Sequence, residues 1–227
     1  SQMDYIRTKD LGYNPNQIIT TTISGNRDHE AIGKVLKEEL SKESVTTSVS
    51  YNQNYCSEGG IVDNKQIEAS LIRADENYLP DVGIPILLGR NFSTNFPTDP
   101  KNSVIVNETF VKEFNLSDPL GKSIRLIEND EGNQKKTIIG VVKDFHFGSL
   151  REPIKPMFMS MLQAPYGNIL VKFEKSKQKE AIIVLEKIYK NIMPNAVFTY
   201  NFLDEQNAKQ YKQEQQWQKL VNIATIL

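Results

Sequence analysis

A single cysteine, Cys56, stands in 227 residues. An intramolecular disulfide is therefore impossible, and a thiolate metal cluster is excluded with it. The two histidines, His29 and His146, lie far apart along the chain, so a zinc site would need Asp or Glu ligands gathered from a distance. No excess of one charge exists: 27 Lys+Arg face 28 Asp+Glu, for a net charge of −1. That balance supplies no electrostatic footprint for nucleic acid or for an anionic membrane surface. No stretch approaches the roughly 20 apolar residues that cross a bilayer, and no signal peptide opens the sequence. Hydrophobic residues make up 39% and charged residues 24%, which describes a folded domain with much polar surface rather than a disordered chain. The length is enough for one large core or two modest ones, and two linked subdomains are expected.

The pattern at the two ends of the chain is the same. Residues 18–23 form a β-branched run that reads as a strand. Ile32, Val35, Leu36 and Leu40 follow at helical spacing with Lys34, Lys37, Glu38 and Glu39 between them, so one helical face packs on that strand. Val45, Thr47, Val49 and Tyr51 then alternate with polar neighbours, completing a βαβ unit. Much later the order returns, with a strand over 169–173, a helical stripe of Ala181, Leu185, Ile188 and Ile192, and a strand over 197–202. Between the two units, short strands are expected at 67–74, 86–88, 103–106, 123–127 and 137–142, and short helices at 76–81 and 108–114. Asn64, Gly83, Gly89, Pro97, Pro100 and Glu131-Gly132-Asn133 punctuate them as turns. The fold class that follows is α+β: a split α/β sandwich of two βαβ units, residues 1–60 plus 161–227, with a β-rich subdomain, residues 61–160, inserted between them. Asp204 is placed to cap a last helix that runs through Tyr211, Trp217 and Val221. The final residues, 220–227, are an uncapped apolar run, which suggests the first turns of a membrane helix as readily as a helix docking on its own core.

Motifs that would carry chemistry are weak. Gly121-Lys122-Ser123 resembles the tail of a phosphate-cradling loop, but Leu116 stands where the first glycine belongs and Pro119 removes a backbone donor. A turn entering the strand at Ser123 is the better reading. Asp144 and His146, two apart, would share one face of a strand and could form an acid/base pair. No third ligand lies near them, and a polar edge or loop flanked by Phe145 and Phe147 accounts for them more simply. No Gly-x-Ser-x-Gly elbow exists, and Cys56 has no histidine near it in sequence. Asn91-Phe92-Ser93, Asn107-Glu108-Thr109 and Asn115-Leu116-Ser117 match the glycosylation pattern by chance. The charges over 172–179 read as a solvated connection between strand and helix. No catalytic, cofactor-binding or metal-ligating residue is assigned.

Several segments taken together resemble the MacB-like periplasmic core domain of FtsX-type ABC transporter permeases. QMDYIRTKDLGYNPNQII, residues 2–19, is similar to the stretch by which such permeases leave a membrane helix for their first strand. GIPILLGRNF, residues 83–92, resembles the family's Gly-Arg-Phe segment. VIVNETFVKEFNLSDPLGKSIRL, residues 104–126, is the most diagnostic: strand, Asn-Glu, short helix, Pro-x-Gly-Lys turn, strand. IIGVVKDFHFGSLREPIKPMF, residues 138–158, resembles a second hallmark, and FLDEQNAKQYKQEQQWQKL, residues 202–220, the helix that returns to the membrane. The Leu11-Gly12-Tyr13 stretch and the Asp144-Phe145-His146-Phe147 motif resemble the second of two such domains in one permease.

The resemblance implies a porter-like α/β subdomain near the membrane, carrying the inserted unit on top. It implies a non-catalytic domain on the periplasmic face of the inner membrane, without cofactors, anchored in the full-length protein. The implied partners are an ABC ATPase subunit reached through transmembrane helices, a second permease half or protomer, and a periplasmic partner protein or exported substrate (a lipoprotein, peptide or amphiphile), with no nucleic acid. Two other classes compete: an extracytoplasmic ligand-sensing module with a groove between its subdomains, and a hydrolase built on Asp144 and His146.

Overall fold

The structure, a computed structural model, describes residues 12–126, 135–146, 153–161, 167–205 and 209. Its first strand, β1 (Ile18–Thr22), buries Ile18 and Ile19 on opposite faces. The helix α1 (His29–Ser41) follows, capped by Asp28, whose carboxylate accepts from the Ala31 N–H at 3.0 Å. Leu36 and Leu40 are its buried stripe. Near the other end, β9 (Asn168–Phe173) leads through a 3₁₀ turn (Lys175–Lys177) into α5 (Gln178–Ile192), which buries Ala181, Leu185, Ile188 and Tyr189.

The two βαβ units interlock. The strands β10 (Asn201–Phe202) and β9 flank β1 antiparallel, and β9 pairs antiparallel on its other edge with β2 (Thr46–Val62). The resulting order β10-β1-β9-β2 places each strand of one unit beside a strand of the other, the ferredoxin-like arrangement of a split βαβ pair. Residues alternate across this sheet. Ile19, Val49, Tyr51, Ile169 and Val171 face α1 and α5, while Ile18 and Leu170 join a second cluster on the opposite face.

The chain between the two units forms most of a ring. A hairpin joins β2 to β3 (Lys65–Ala74) across Asp63-Asn64, both at positive φ (46° and 62°), the backbone of a type I′ turn. Beyond β3 the pairing continues through β8 (Met157–Met161), β5 (Ser103–Asn107) and β7 (Lys135–Val142), with β3–β8 and β5–β7 parallel. Then β6 (Ser123–Leu126) pairs with β7 on one side and with the distal end of β2 on the other, which closes the ring. Closure leaves these strands no free edge along the ring. Leu71, Val104, Val106, Phe110, Ile124, Ile138 and Phe158 fill the interior. Short helices α2 (Tyr78–Val82), α3 (Asp99–Asn102) and α4 (Glu108–Glu113) and the strand β4 (Ile86–Gly89), paired with β7, complete the described chain.

Three differences from the sequence reading have physical causes. Only 201–202 of the strand expected at 197–202 is paired: the Thr21 hydroxyl donates to the Thr199 carbonyl at 2.7 Å and the Thr20 hydroxyl to that of Asn201 at 3.3 Å, so side chains take part of the ladder's place. The strand β8 is buried at every position and has no alternation to reveal it. The distal half of β2, residues 52–62, is polar and glycine-bearing, and only its pairing with β3 and β6 makes it a strand. Residues 203–205 open a helical turn, and the helix expected beyond them, with Tyr211, Trp217 and Val221, lies outside the described residues.

Phe158 is fully buried inside the ring, whereas Ile183 is 66% exposed on α5. Phe158→Ala is expected to lower unfolding stability by about 3–5 kcal/mol, and Ile183→Ala by no more than about 0.5 kcal/mol. Urea titration of the two variants checks the contrast.

Candidate coupling joint

The motifs singled out in the sequence are spent on architecture. Gly89 (φ 74°) sits so close to the β7 backbone that a Cβ there would lie 2.1 Å from the Ile139 carbonyl oxygen. Its neighbour Arg90 donates two parallel hydrogen bonds to Asp99, at 2.6 and 2.8 Å, and lies over the Phe96 ring at 4.0 Å. Burial by itself would raise the Asp99 carboxyl, but the Arg90 guanidinium, the Ser103 hydroxyl and the Ser93 N–H outweigh it and hold the group below the usual carboxylate range. Asn107 is wholly buried: its side-chain oxygen accepts from Phe110 N and Met157 N, both at 3.0 Å, and its amide donates to the Lys155 carbonyl. That placement rules it out as a glycan acceptor. Lys122 follows Gly121 (φ 80°) in a turn into β6 and pairs with Asp63 of the hairpin turn, which is the structural alternative to a phosphate loop.

Asp144 and His146 lie in the loop after β7 rather than on a strand. Both carboxylate oxygens of Asp144 are engaged by Thr109, one by its N–H (2.9 Å) and one by its hydroxyl (2.7 Å), and the Asp144 N–H donates to Glu108 at 3.0 Å. These bonds fasten the loop to the start of α4. They give Asp144 a positioning task and leave the acid/base pair without support. Phe145 is buried in the core between them.

Residues 75–84 touch parts of the chain that lie far apart in sequence. This segment covers the face of the four-stranded sheet that α1 and α5 leave bare. Asp75 N donates to the Tyr51 carbonyl at 3.2 Å, and the Asn77 amide to that of Val49 at 3.1 Å. Lys37 of α1 reaches Asp75 at 2.8 Å and Glu76 at 3.6 Å, with its ammonium 5.5 Å from the Tyr51 ring centre. From β9, Lys172 donates to the Asp81 carbonyl at 2.8 Å. The expected solvated connection holds for 174–176, which are exposed, but Lys172 itself is half-buried and anchors α2.

The same segment grips the ring and the lead-in residues. Tyr78, Leu79, Val82 and Ile84 pack with Phe92, Ile105, Val142 and Phe145, and with Ile18 and Leu170 from the sheet. The Asn91 amide donates to the Glu76 carbonyl at 2.8 Å, and Asn14 N to that of Val82 at 2.7 Å. Tyr13 meets Phe145 edge to face at 6.4 Å, while Gly12 (φ 77°) lies so close that a Cβ would stand 2.3 Å from the Asp144 carbonyl oxygen. Gly12-Tyr13 and Asp144-Phe145, from the two motifs, are thus two halves of one contact.

The electrostatics of the joint are unusual. Burial pushes the Asp75 carboxyl up, Lys37 pulls it back, and it settles at about 6. Asp81 is raised for the same first reason, against the Ser50 and Ser48 hydroxyls and Lys172. The phenols of Tyr51 and Tyr78 are raised by burial as well. One oxygen of Asp75, one of Asp81 and the Ser50 hydroxyl are buried without a hydrogen-bond partner of acceptable geometry. Among the described residues no group of His, Cys, Asp and Glu is placed to hold a metal.

The profile of the MacB-like periplasmic core domain matches residues 4–184. The chain belongs to that family. Solved structures agree on the fold. The periplasmic region of MacB from Actinobacillus actinomycetemcomitans superposes with a TM-score of 0.65 at 21% identity, covering 88% of this chain and 95% of that one. The extracellular domain of the noncanonic ABC-type transporter YknZ from Gram-positive bacteria gives 0.58 at 14%, covering 81% and 98%. A domain of a permease protein from Porphyromonas gingivalis gives 0.55 at 16%, covering 83% and 91%. No curated protein matches the sequence. The molecule is therefore a periplasmic core domain of the MacB-like ABC transporter permeases, a transporter component rather than a catalyst, and no described helix is long and apolar enough to cross a membrane.

Sequence reasoning passed over Lys37, Asp75, Asp81 and Lys172. The signal was available: Lys172 interrupts the apolar strand ILVKF, and Asp75 and Asp81 bracket the apolar YLP. Charges set in apolar runs call for partners. In the core domain Gly12→Ala is expected to lower stability by about 1–3 kcal/mol, since it adds both positive-φ strain and a backbone clash. Hydrogen exchange should quicken over 142–146, where the lead-in residues dock. Thermal unfolding and exchange mass spectrometry read the two effects.

Proposed function

We propose that this domain acts as a lever, coupling ATP-driven motion of transmembrane helices to export or extraction of a lipoprotein, peptide or amphiphile. ATP hydrolysis belongs to a separate nucleotide-binding subunit or domain, and a second permease half or protomer and a periplasmic protein complete the assembly. Residues 1–60 and 161–227 act as the membrane-proximal porter-like unit and 61–160 as the unit it carries, with this domain the second of two in its permease.

One observation carries the reading. Ile19 of β1 pairs with Phe202 of β10 in an antiparallel register, so the chain enters the sheet and leaves it at the same end. A domain held from below through both connections moves as its two tethers move. The lead-in residues do not stop at the sheet: Gly12, Tyr13 and Asn14 reach the ring through Asp144, Phe145 and Val82. Displacement of that segment is thereby delivered to both units.

The test is made in the intact permease with its ATPase. Inserting Gly-Gly after Gln213, and separately after Asp10, adds slack to each connection without touching a described contact. Transport and transport-coupled ATPase activity are expected to fall at least about tenfold, while basal ATPase activity persists. Full coupling with slack in both connections sinks the lever.

A further inference from the structure

We infer that the docking of residues 75–84 on the porter-like sheet is an acid-tightened clasp, in which protonation of the buried carboxylates holds the two units together more firmly and their ionisation loosens them. The geometry carries it. Both carboxylates, Asp75 and Asp81, come from the segment that packs with the ring, and both cations beside them, Lys37 and Lys172, come from the porter-like side. The charged contacts therefore cross the joint rather than staying within either unit. Asp75 and Asp81 are almost wholly buried, at 5% exposure each.

Neither carboxylate is fully satisfied. The second oxygen of Asp75 has no hydrogen-bond partner, and Lys37, 27% exposed, divides its charge between Asp75 and Glu76. One oxygen of Asp81 has no hydrogen bond of good geometry although the Ser50 and Ser48 hydroxyls lie beside the carboxyl, and Lys172 donates to the Asp81 backbone carbonyl. The titratable groups acting on the pair are Lys37 from α1, Lys172 from β9, Tyr51 from β2 and Glu76 from the segment itself. The one negative neighbour on Asp75, Glu76, adds to the cost of ionising it. A buried carboxylate with an unpaired oxygen is a cost that the neutral form avoids.

The sign follows from linkage. With the clasp closed Asp75 titrates near 6, and when it opens into water the group returns to the ordinary 3.8. A group raised in the closed state favours closure fully below the open-state value, and that contribution is lost as pH rises through about 6. The acidity around the domain would then set the stiffness of the joint. This deepens the lever reading by adding regulation to the same joint.

The experiment is amide exchange on this chain, corrected for intrinsic rates, at about pH 5 and about pH 7.5. Opening of 75–84 and of the β2 segment beneath it is expected to be about tenfold less frequent at the lower pH. Asp75→Asn should reduce that difference to below about threefold, while exchange in the ring core stays unchanged. Equal opening at both pH values, or a tenfold difference surviving in Asp75→Asn, overturns the clasp. If Asp75→Asn does not fold, carbon-detected NMR titration of the wild-type Asp75 carboxyl decides: a midpoint near 6 supports the clasp and one near 4 overturns it. The readout needs neither membrane nor ATPase, so its failure leaves the slack-insertion result standing, and failure of the lever leaves the exchange result standing.

Discussion

The two halves of this molecule share the long strand β2, and a five-residue helix laid on the sheet face that α1 and α5 leave bare fastens them a second time. A ferredoxin-like sheet covered by two helices on one side must have its other side covered too, or it exposes a wide apolar surface. Here α2 and its flanks supply the cover, with Leu79 and Val82 meeting Ile18 and Leu170. Because that helix is continuous with β3 and with the turn into β4, covering the sheet and joining the units are one event. Removing it would uncover Ser50, Lys172 and Leu170 and would take away the anchor that Lys172 makes on Asp81.

The ring is pinned by closure and by apolar packing, whereas the joint adds buried charges to its packing. Its strands close on themselves through β6, its interior is apolar, and its turns are pinned by groups with no conformational slack: Gly89 against the Ile139 carbonyl, Asn107 bonded at three points, Arg90 and Asp99 in a two-point pair. Interiors of that density transmit displacement instead of absorbing it. The joint mixes apolar packing with buried charges that cross it, and a charged contact between two bodies has a strength that conditions can change. Stiff bodies with an adjustable contact are the parts that a two-state transmission needs.

How much of this could be read beforehand depended on whether a residue's task was local. Helical stripes such as Leu36 and Leu40, or Ala181, Leu185 and Ile188, carry their own period and announced α1 and α5 directly. The paired βαβ pattern gave the split sandwich because strand, helical stripe and strand recur in the same order at both ends of the chain. The strand β8 could not be recognised that way, since it is buried on both faces and alternates nowhere. The distal half of β2 is a strand only because β3 and β6 lie beside it. Resemblance marked Gly89-Arg90-Asn91-Phe92 and Val106-Asn107-Glu108 as meaningful, and the structure supplies the reason: each fixes a crossing between segments far apart in sequence. The joint residues were the least legible, because Lys37 looks like any solvent-side lysine of an amphipathic helix until Asp75, thirty-eight positions later, is set against it.

Charged contacts make up part of the joint beside its apolar packing. An apolar patch of equal size between the two units would bind them regardless of conditions, and the gain would rise with every square ångström covered. A contact made of Asn77, Lys37, Asp75, Lys172 and Asp81 gains less per residue, because each charge gives up water to form it. In exchange its strength depends on geometry, and a small shift of α1 against β3 changes the Lys37–Asp75 separation by a large fraction of its 2.8 Å. The apolar residues of α2 share one cluster with Ile18 and Leu170 of the sheet as well as with Val142 and Phe145. The charged side chains of the segment are thus met from the porter-like side while its apolar residues pack with both units, so the polar contacts are the part of the joint whose strength conditions can change.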